Sequence, residues 1–172
     1  GDPHGMTRVA LLDTGVGNVF SVRRALERLG AEVVTTRDPG LVASSTRVVL
    51  PGVGAFAPAR ERLAASGLEE GLRAALGGGA RLLGLCLGFQ LLFEESEEFG
   101  TMKGLGLLGG RVVPFPSGAR VPHVGWNRLE TEGSADGPLL AGLPRGPYVY
   151  FVHSFRPEGA DPADVAAFCD HG

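Results

Sequence analysis

Cysteine is scarce in this chain: Cys86 and Cys169 are the only two among 172 residues. Two thiols so far apart make no disulfide framework, and reduced cysteines are the simpler reading. Long apolar runs are absent. Nothing approaches the roughly 20 residues that a membrane-crossing helix requires, and no charged-then-apolar leader opens the chain. Charge of one sign is also missing, since 16 basic and 19 acidic residues leave a net charge of -3. The basic residues are scattered, so nothing gathers a phosphate backbone or an anionic bilayer. These absences argue against nucleic-acid and membrane partners and leave a soluble cytoplasmic protein as the expectation.

What is present suits a compact globular domain, with 44% hydrophobic and 20% charged residues. Gly1-Asp2-Pro3-His4-Gly5 precedes Met6 and reads as the remnant of an expression tag, which leaves a single domain over 6–172. Residues 9–12 form a continuous apolar run that suits a strand buried on both faces. A helix is expected from Asn18, with Val22, Ala25, Leu26 and Leu29 on its apolar side and Gly30 as its stop signal. Strands at 32–36, 47–50 and 81–85 alternate with helical segments at 41–43, 57–65 and 69–76, the pattern of a doubly wound α/β sheet. The second half changes character. Segments 111–115, 121–130, 148–155 and 165–169 read as strands joined by glycine and proline loops. The expected fold is therefore α/β, with a mostly parallel central sheet flanked by helices and extended by antiparallel strands.

Gly84-Leu85-Cys86-Leu87-Gly88 lies between a buried strand and the apolar helical stretch 89–93, the setting of a nucleophile elbow. A nucleophile on so tight a turn has a strained backbone, and a bulky side chain two residues to either side would collide with it; glycine at both places removes the collision. The turn also puts the sulfur at a helix N-terminus, where exposed N–H groups favour thiolate and the Leu87 amide becomes available to an oxyanion. The competing reading makes Cys86 one more small buried apolar residue. Two other constellations carry less. Gly15 and Gly17 begin a dinucleotide-like run, but Phe20 stands where its third glycine belongs, so no nucleotide cofactor is assigned. Cys169 and His171 are two possible ligands without a second cluster, so no metal is assigned.

The run from Gly84 to Phe89 and Gln90 resembles the nucleophile motif of class I glutamine amidotransferases. Asp13-Thr14-Gly15-Val16-Gly17-Asn18, Pro51-Gly52-Val53-Gly54-Ala55-Phe56, Pro122-His123-Val124-Gly125-Trp126-Asn127 and Tyr150-Phe151-Val152-His153-Ser154-Phe155 are similar, in that order, to segments of the amidotransferase subunits of imidazole glycerol phosphate synthases. The resemblance implies that Cys86 attacks the carboxamide of L-glutamine and passes through a thioester. It implies an oxyanion strand at Gly52 and Val53, with the Val53 N–H turning inward in the active state and Leu87 as the second donor. It implies that Gln90, Ser154 and Phe155, together with Gly52, hold the substrate, and that Asn18, His123 and Trp126 face a (β/α)8-barrel cyclase. Read without it, Pro51-Gly52 is an ordinary turn, Gln90 a solvated helix residue and Trp126 a core side chain. His153, inside an apolar strand, is better read as a hydrogen-bonded structural histidine than as the general base.

One departure stands out. The family carries its triad histidine and glutamate in a His-Pro-Glu run, and these 172 residues contain none. Turnover without a general acid-base would lose about 10² to 10⁴ in rate, and because every site element upstream is in place the expectation is truncation of a longer active protein. Rival readings are the glutaminase subunit of an anthranilate or aminodeoxychorismate synthase, a binding subunit without catalysis, and an α/β-hydrolase-type cysteine hydrolase.

Overall fold

The computed structural model describes residues 7–130 and 138–171. The tag-like stretch, Met6 and Gly172 lie outside the described residues. The chain forms two compact units, divided after Leu92.

The first unit is an α/β layer structure. Strands β1 (Thr7–Leu12), β2 (Ala31–Thr36), β3 (Arg47–Leu50) and β4 (Arg81–Gly84) form one parallel sheet in the order β2-β1-β3-β4. Because successive side chains of a strand face opposite ways, Val9 and Leu11 join Val33 and Val49 on one side of the sheet. Helix α1 (Val19–Arg28) covers that side with Val19, Val22 and Leu26. Leu29, expected on the same stripe, instead serves as the C-cap and is 84% exposed. There the chain is already turning into Gly30 at φ 85° and β2. Helices α2 (Pro39–Ala43), α3 (Phe56–Ala65) and α4 (Leu68–Gly77) supply a second set of buried side chains, among them Val42, Phe56, Leu63, Leu68 and Leu72. Gly71 of α4 lies so close to Pro39 that an added Cβ would sit 2.5 Å from its carbonyl oxygen. The half-buried Glu69 pairs with Arg60 at 2.7 Å and ties α4 to α3.

The second unit holds the antiparallel strands. β5 (Glu95–Ser96), β6 (Met102–Lys103), β7 (Arg111–Pro114) and β10 (Phe155–Glu158) make a four-stranded sheet in the order β10-β7-β5-β6. β8 (His123–Arg128) and β9 (Tyr148–His153) pair as a separate antiparallel ribbon. The strand expected at 165–169 is a 3₁₀ turn at Pro162–Asp164 followed by a single bridge between Phe168 and Glu130. Asp161 caps that turn through the Ala163 N–H at 2.9 Å, a local hydrogen bond that competes with extended structure.

Candidate active site at the cysteine elbow

Parallel strands end on the same edge of their sheet, so the segments after β1, β3 and β4 meet there. Cys86 is exposed at this edge, as the N-cap of the single-turn helix α5 (Leu87–Gln90). Its backbone has φ 53° and ψ -117°, outside the basins that residues bearing a Cβ prefer. Its neighbours hold it there. A Cβ on Gly84 would fall 2.7 Å from the Phe89 Cα, and one on Gly88 would collide with the Leu50 carbonyl at the end of β3. A Cβ on Gly52 would lie 2.8 Å from the Gly88 nitrogen. Gly52 after β3, Gly84 at the end of β4 and Gly88 in α5 therefore interlock around the elbow.

The segment after β3 packs on the elbow by a direct bond. The Leu87 N–H donates to the Gly52 carbonyl at 3.3 Å. The amide expected to receive an oxyanion is thus engaged in this conformation. Val53 is 51% exposed, and Gly54 beyond it has φ 92°. Gln90 is half-buried on α5, its N–H bonded to the Cys86 carbonyl at 3.1 Å. The loop after β1 is built by Asp13, whose carboxylate accepts from the Gly15 N–H at 2.9 Å and from Arg37 at 2.8 Å. The Arg37 hydrogen bond, helped by that of Gly15, holds the Asp13 carboxyl below its ordinary pKa. Gly17 follows close to Gly52, and Asn18, exposed, caps α1 by accepting from the Ser21 N–H at 3.1 Å.

In the second unit, Ser154 and Phe155 are half-buried where β9 passes into β10. His153 is hydrogen-bonded at both ring nitrogens, Nδ1 to the Phe155 carbonyl at 2.8 Å and Nε2 to His123 Nδ1 at 2.9 Å. His123 is only 3% exposed and stacks between Phe151, at 4.6 Å, and His171, at 3.8 Å. Burial above all, then the nearby His171 and His153, lowers its pKa below the ordinary histidine value. Strand alternation puts Trp126 on the opposite face, 67% exposed and edge-on to Tyr150 at 5.6 Å. Trp126 is not a core side chain, and His123 is not among those the ribbon presents to solvent. Cys169 Sγ sits 3.6 Å from the Asp170 carbonyl, and the His171 ring bonds the Arg120 carbonyl at 2.7 Å.

The coupling of His123 to His153 escaped the sequence reading because it depends on the register of β8 against β9, which pairs these two residues across a long connection. The Leu87–Gly52 bond escaped it because it depends on β3 and β4 being neighbours whose ends meet.

The description of the class-I glutamine amidotransferase family matches residues 10–172. The imidazole glycerol phosphate synthase subunit HisH of Symbiobacterium thermophilum is 44% identical over 167 residues, 97% of this chain and 78% of that protein. The HisH of Geobacillus thermodenitrificans is 48% identical over 156 residues, 87% of this chain and 72% of that protein. Among solved structures, a glutamine amidotransferase superposes with a TM-score of 0.69 at 22% identity, covering 92% of this chain and 78% of its own. PurLQS from Thermotoga maritima gives 0.68 at 22%, covering 95% and 74%. The two structures speak for the fold alone. The chain belongs to the class-I glutamine amidotransferase family, on the branch of the imidazole glycerol phosphate synthase subunit HisH.

Proposed function

We propose that this protein hydrolyses L-glutamine to glutamate and ammonia at Cys86 and delivers the ammonia to the cyclase subunit of an imidazole glycerol phosphate synthase, in histidine biosynthesis in the cytoplasm. The observation that carries this reading is the backbone of Cys86, held at φ 53° by glycines that admit no Cβ. Strain of this kind persists where the surrounding structure over-determines it, and here it lifts one thiol to the head of a helix. The Cys86 sulfur attacks the carboxamide carbon of glutamine, and the C–N bond breaks as the amide nitrogen takes up the proton given up by the thiol and departs as ammonia. Water then hydrolyses the thioester, freeing glutamate and regenerating the thiol. In this reading Gln90 and Gly52 hold the substrate, and the family resemblance assigns Ser154 and Phe155 to its amino-acid end.

The oxyanion formed in each step needs donors. Leu87 and Val53 supply them once the Gly52–Val53 peptide turns over, which swings the Gly52 carbonyl off the Leu87 N–H and brings the Val53 N–H inward. Glycines on both sides of Val53 keep that rotation cheap. In the conformation described, the Leu87 amide is occupied, and the free subunit should be a slow glutaminase. A (β/α)8-barrel partner would favour the turned peptide and cover the site, so that ammonia is not lost to protonation in water. The exposed apolar face of the β8–β9 ribbon, with Val124, Trp126, Tyr150 and Val152, supports the presence of such a partner.

Glutamate release by the full chain, with and without a barrel-type cyclase, tests this. Release that rises on adding the partner and vanishes in Cys86→Ala is expected. Equal release by Cys86→Ala, or none under either condition, would sink the proposal; in the second case the chain would be a binding subunit.

A further inference from the structure

At one edge of the first unit's sheet stands an arrangement that the chemistry at Cys86 does not use: a carboxylate with both oxygens engaged, and a glycine whose missing side chain faces another glycine. Asp13, after β1, is tied three times. Its N–H donates to the Thr36 carbonyl at the end of β2 at 3.0 Å. One carboxylate oxygen accepts from the Gly15 N–H at 2.9 Å and the other from Arg37 Nε at 2.8 Å. The Arg37 side chain is 69% exposed, and exposed ion pairs contribute little, so the grip of Asp13 on its own loop is the larger part. Within that loop the Thr14 hydroxyl donates to the Val16 carbonyl at 3.2 Å. Gly17 follows at φ 123°, and a Cβ placed on it would meet only Gly52, at 3.8 Å from the Cα and 3.9 Å from the nitrogen. At the elbow, the Gly52 carbonyl takes the Leu87 N–H at 3.3 Å, and a Cβ on Gly52 would lie 2.8 Å from the Gly88 nitrogen. Gly52 therefore has two neighbours, the elbow and the β1–α1 loop. How far it can draw back from Leu87 depends on how firmly that loop is held.

We infer that Asp13 is a positioning residue for the oxyanion segment: by fixing the β1–α1 loop beside Gly52, it keeps the Gly52 carbonyl on the Leu87 N–H. Asp13 acts through the backbone from Gly15 to Gly17 and not on the reacting atoms. This rests on the reading of Leu87 and Val53 as oxyanion donors under the proposed function. In that reading Asp13 contributes to the slowness of the free subunit, because it helps to keep one donor occupied.

The test is amide hydrogen exchange of the full chain, read at Leu87 and at Ser66, whose N–H bonds the Arg62 carbonyl at the end of α3. Asp13→Ala should speed exchange at Leu87 about fivefold, the scale of one exposed charge-assisted hydrogen bond, and leave Ser66 unchanged. Asp13→Asn keeps an acceptor for the Gly15 N–H and should stay within about twofold of the parent at Leu87. Glutamate release is measured on the same samples. The free Asp13→Ala subunit should release glutamate about fivefold faster than the parent, by as much as its Leu87 amide is more often free; damage to the fold would slow it instead. Equal acceleration at Leu87 and Ser66 overturns the inference, as does unchanged exchange at Leu87 or an Asn variant no different from Ala. Release by Asp13→Ala no faster than that of an active parent overturns it too. Should Asp13→Ala fail to fold, relaxation dispersion of the parent decides. The amides of Gly15, Gly17, Gly52 and Leu87 moving with one rate constant is expected, and unequal rates or no motion overturns the inference. If the parent with its cyclase partner releases no glutamate, the glutaminase reading falls, and exchange at Leu87 alone decides whether Asp13 holds Gly52.

Discussion

Cys86 combines a Cβ with a backbone that disfavours one, and its removal separates strain from chemistry. A residue in such a region costs about 1–3 kcal/mol. Cys86→Gly should therefore raise the unfolding free energy by about 1 kcal/mol over Cys86→Ala, after allowing for the extra freedom of glycine in the unfolded chain. Urea unfolding of the two variants measures it, and equal midpoints would mean that no strain is stored. Gly88→Ala should cost about 3 kcal/mol or more, because the Leu50 carbonyl it meets belongs to the sheet and cannot yield as a side chain would. Gly84 and Gly88 were both legible as the flanks of a strained nucleophile, but only the crowding at Gly84 is local; at Gly88 it comes from Leu50 at the end of β3. Gly52 was marked only through the family resemblance, because its crowding comes from a different strand end.

At the scale of elements, α1 and the β8–β9 ribbon illustrate what one side chain can do for a whole segment. Asn18→Ala removes the N-cap bond to Ser21 and should lower stability by about 1 kcal/mol, whereas Asn18→Asp keeps an acceptor and should not. Thermal unfolding of both variants checks this, and an Asn18→Ala change confined to partner association would assign Asn18 to docking instead. In the ribbon, the lowered pKa of His123 means that the unfolded state binds protons more readily than the folded one. Its stabilising contribution is therefore complete above the ordinary histidine pKa of about 6.5 and is lost as the pH falls from there through the folded value. Asp13 and Glu158, both held below ordinary carboxyl values by arginine hydrogen bonds, act in the same direction but lower, beneath about pH 4. Urea midpoints should decline between pH 7 and 5 in the parent and decline less in His123→Phe; parallel curves would show that His123 does not titrate in that window. Helices and strands of the first unit were legible from periodicity alone. The 3₁₀ turn at Pro162–Asp164 was not, since its capping by Asp161 outweighed an apolar stretch too short to impose a period.

For the molecule as a whole, the proposed assembly turns on the exposed face of the ribbon. Trp126 and Tyr150 stand edge to face on a surface exposed among the described residues, and aromatic anchors of this kind dominate protein interfaces. Trp126→Ala should weaken association with the proposed barrel partner by about 2 kcal/mol, close to thirtyfold, while leaving the thermal midpoint of the free subunit unchanged. Analytical ultracentrifugation of the mixture and calorimetry of the free subunit distinguish this from a core role, which would lower the midpoint. Among the described residues no helix is long and apolar enough to cross a membrane. The sequence by itself determined the α/β alternation, the glycine-flanked cysteine and the order of motifs that marks the family, because these follow from local sterics, periodicity and residue spacing. Only the tertiary structure decided that the Leu87 amide is held by Gly52, that His123 is buried behind the face that displays Trp126, and that His123 and His153, distant in sequence, share a hydrogen bond. Those features depend on which strand ends meet and in what register, and such pairings are settled by packing between distant segments rather than by any one of them.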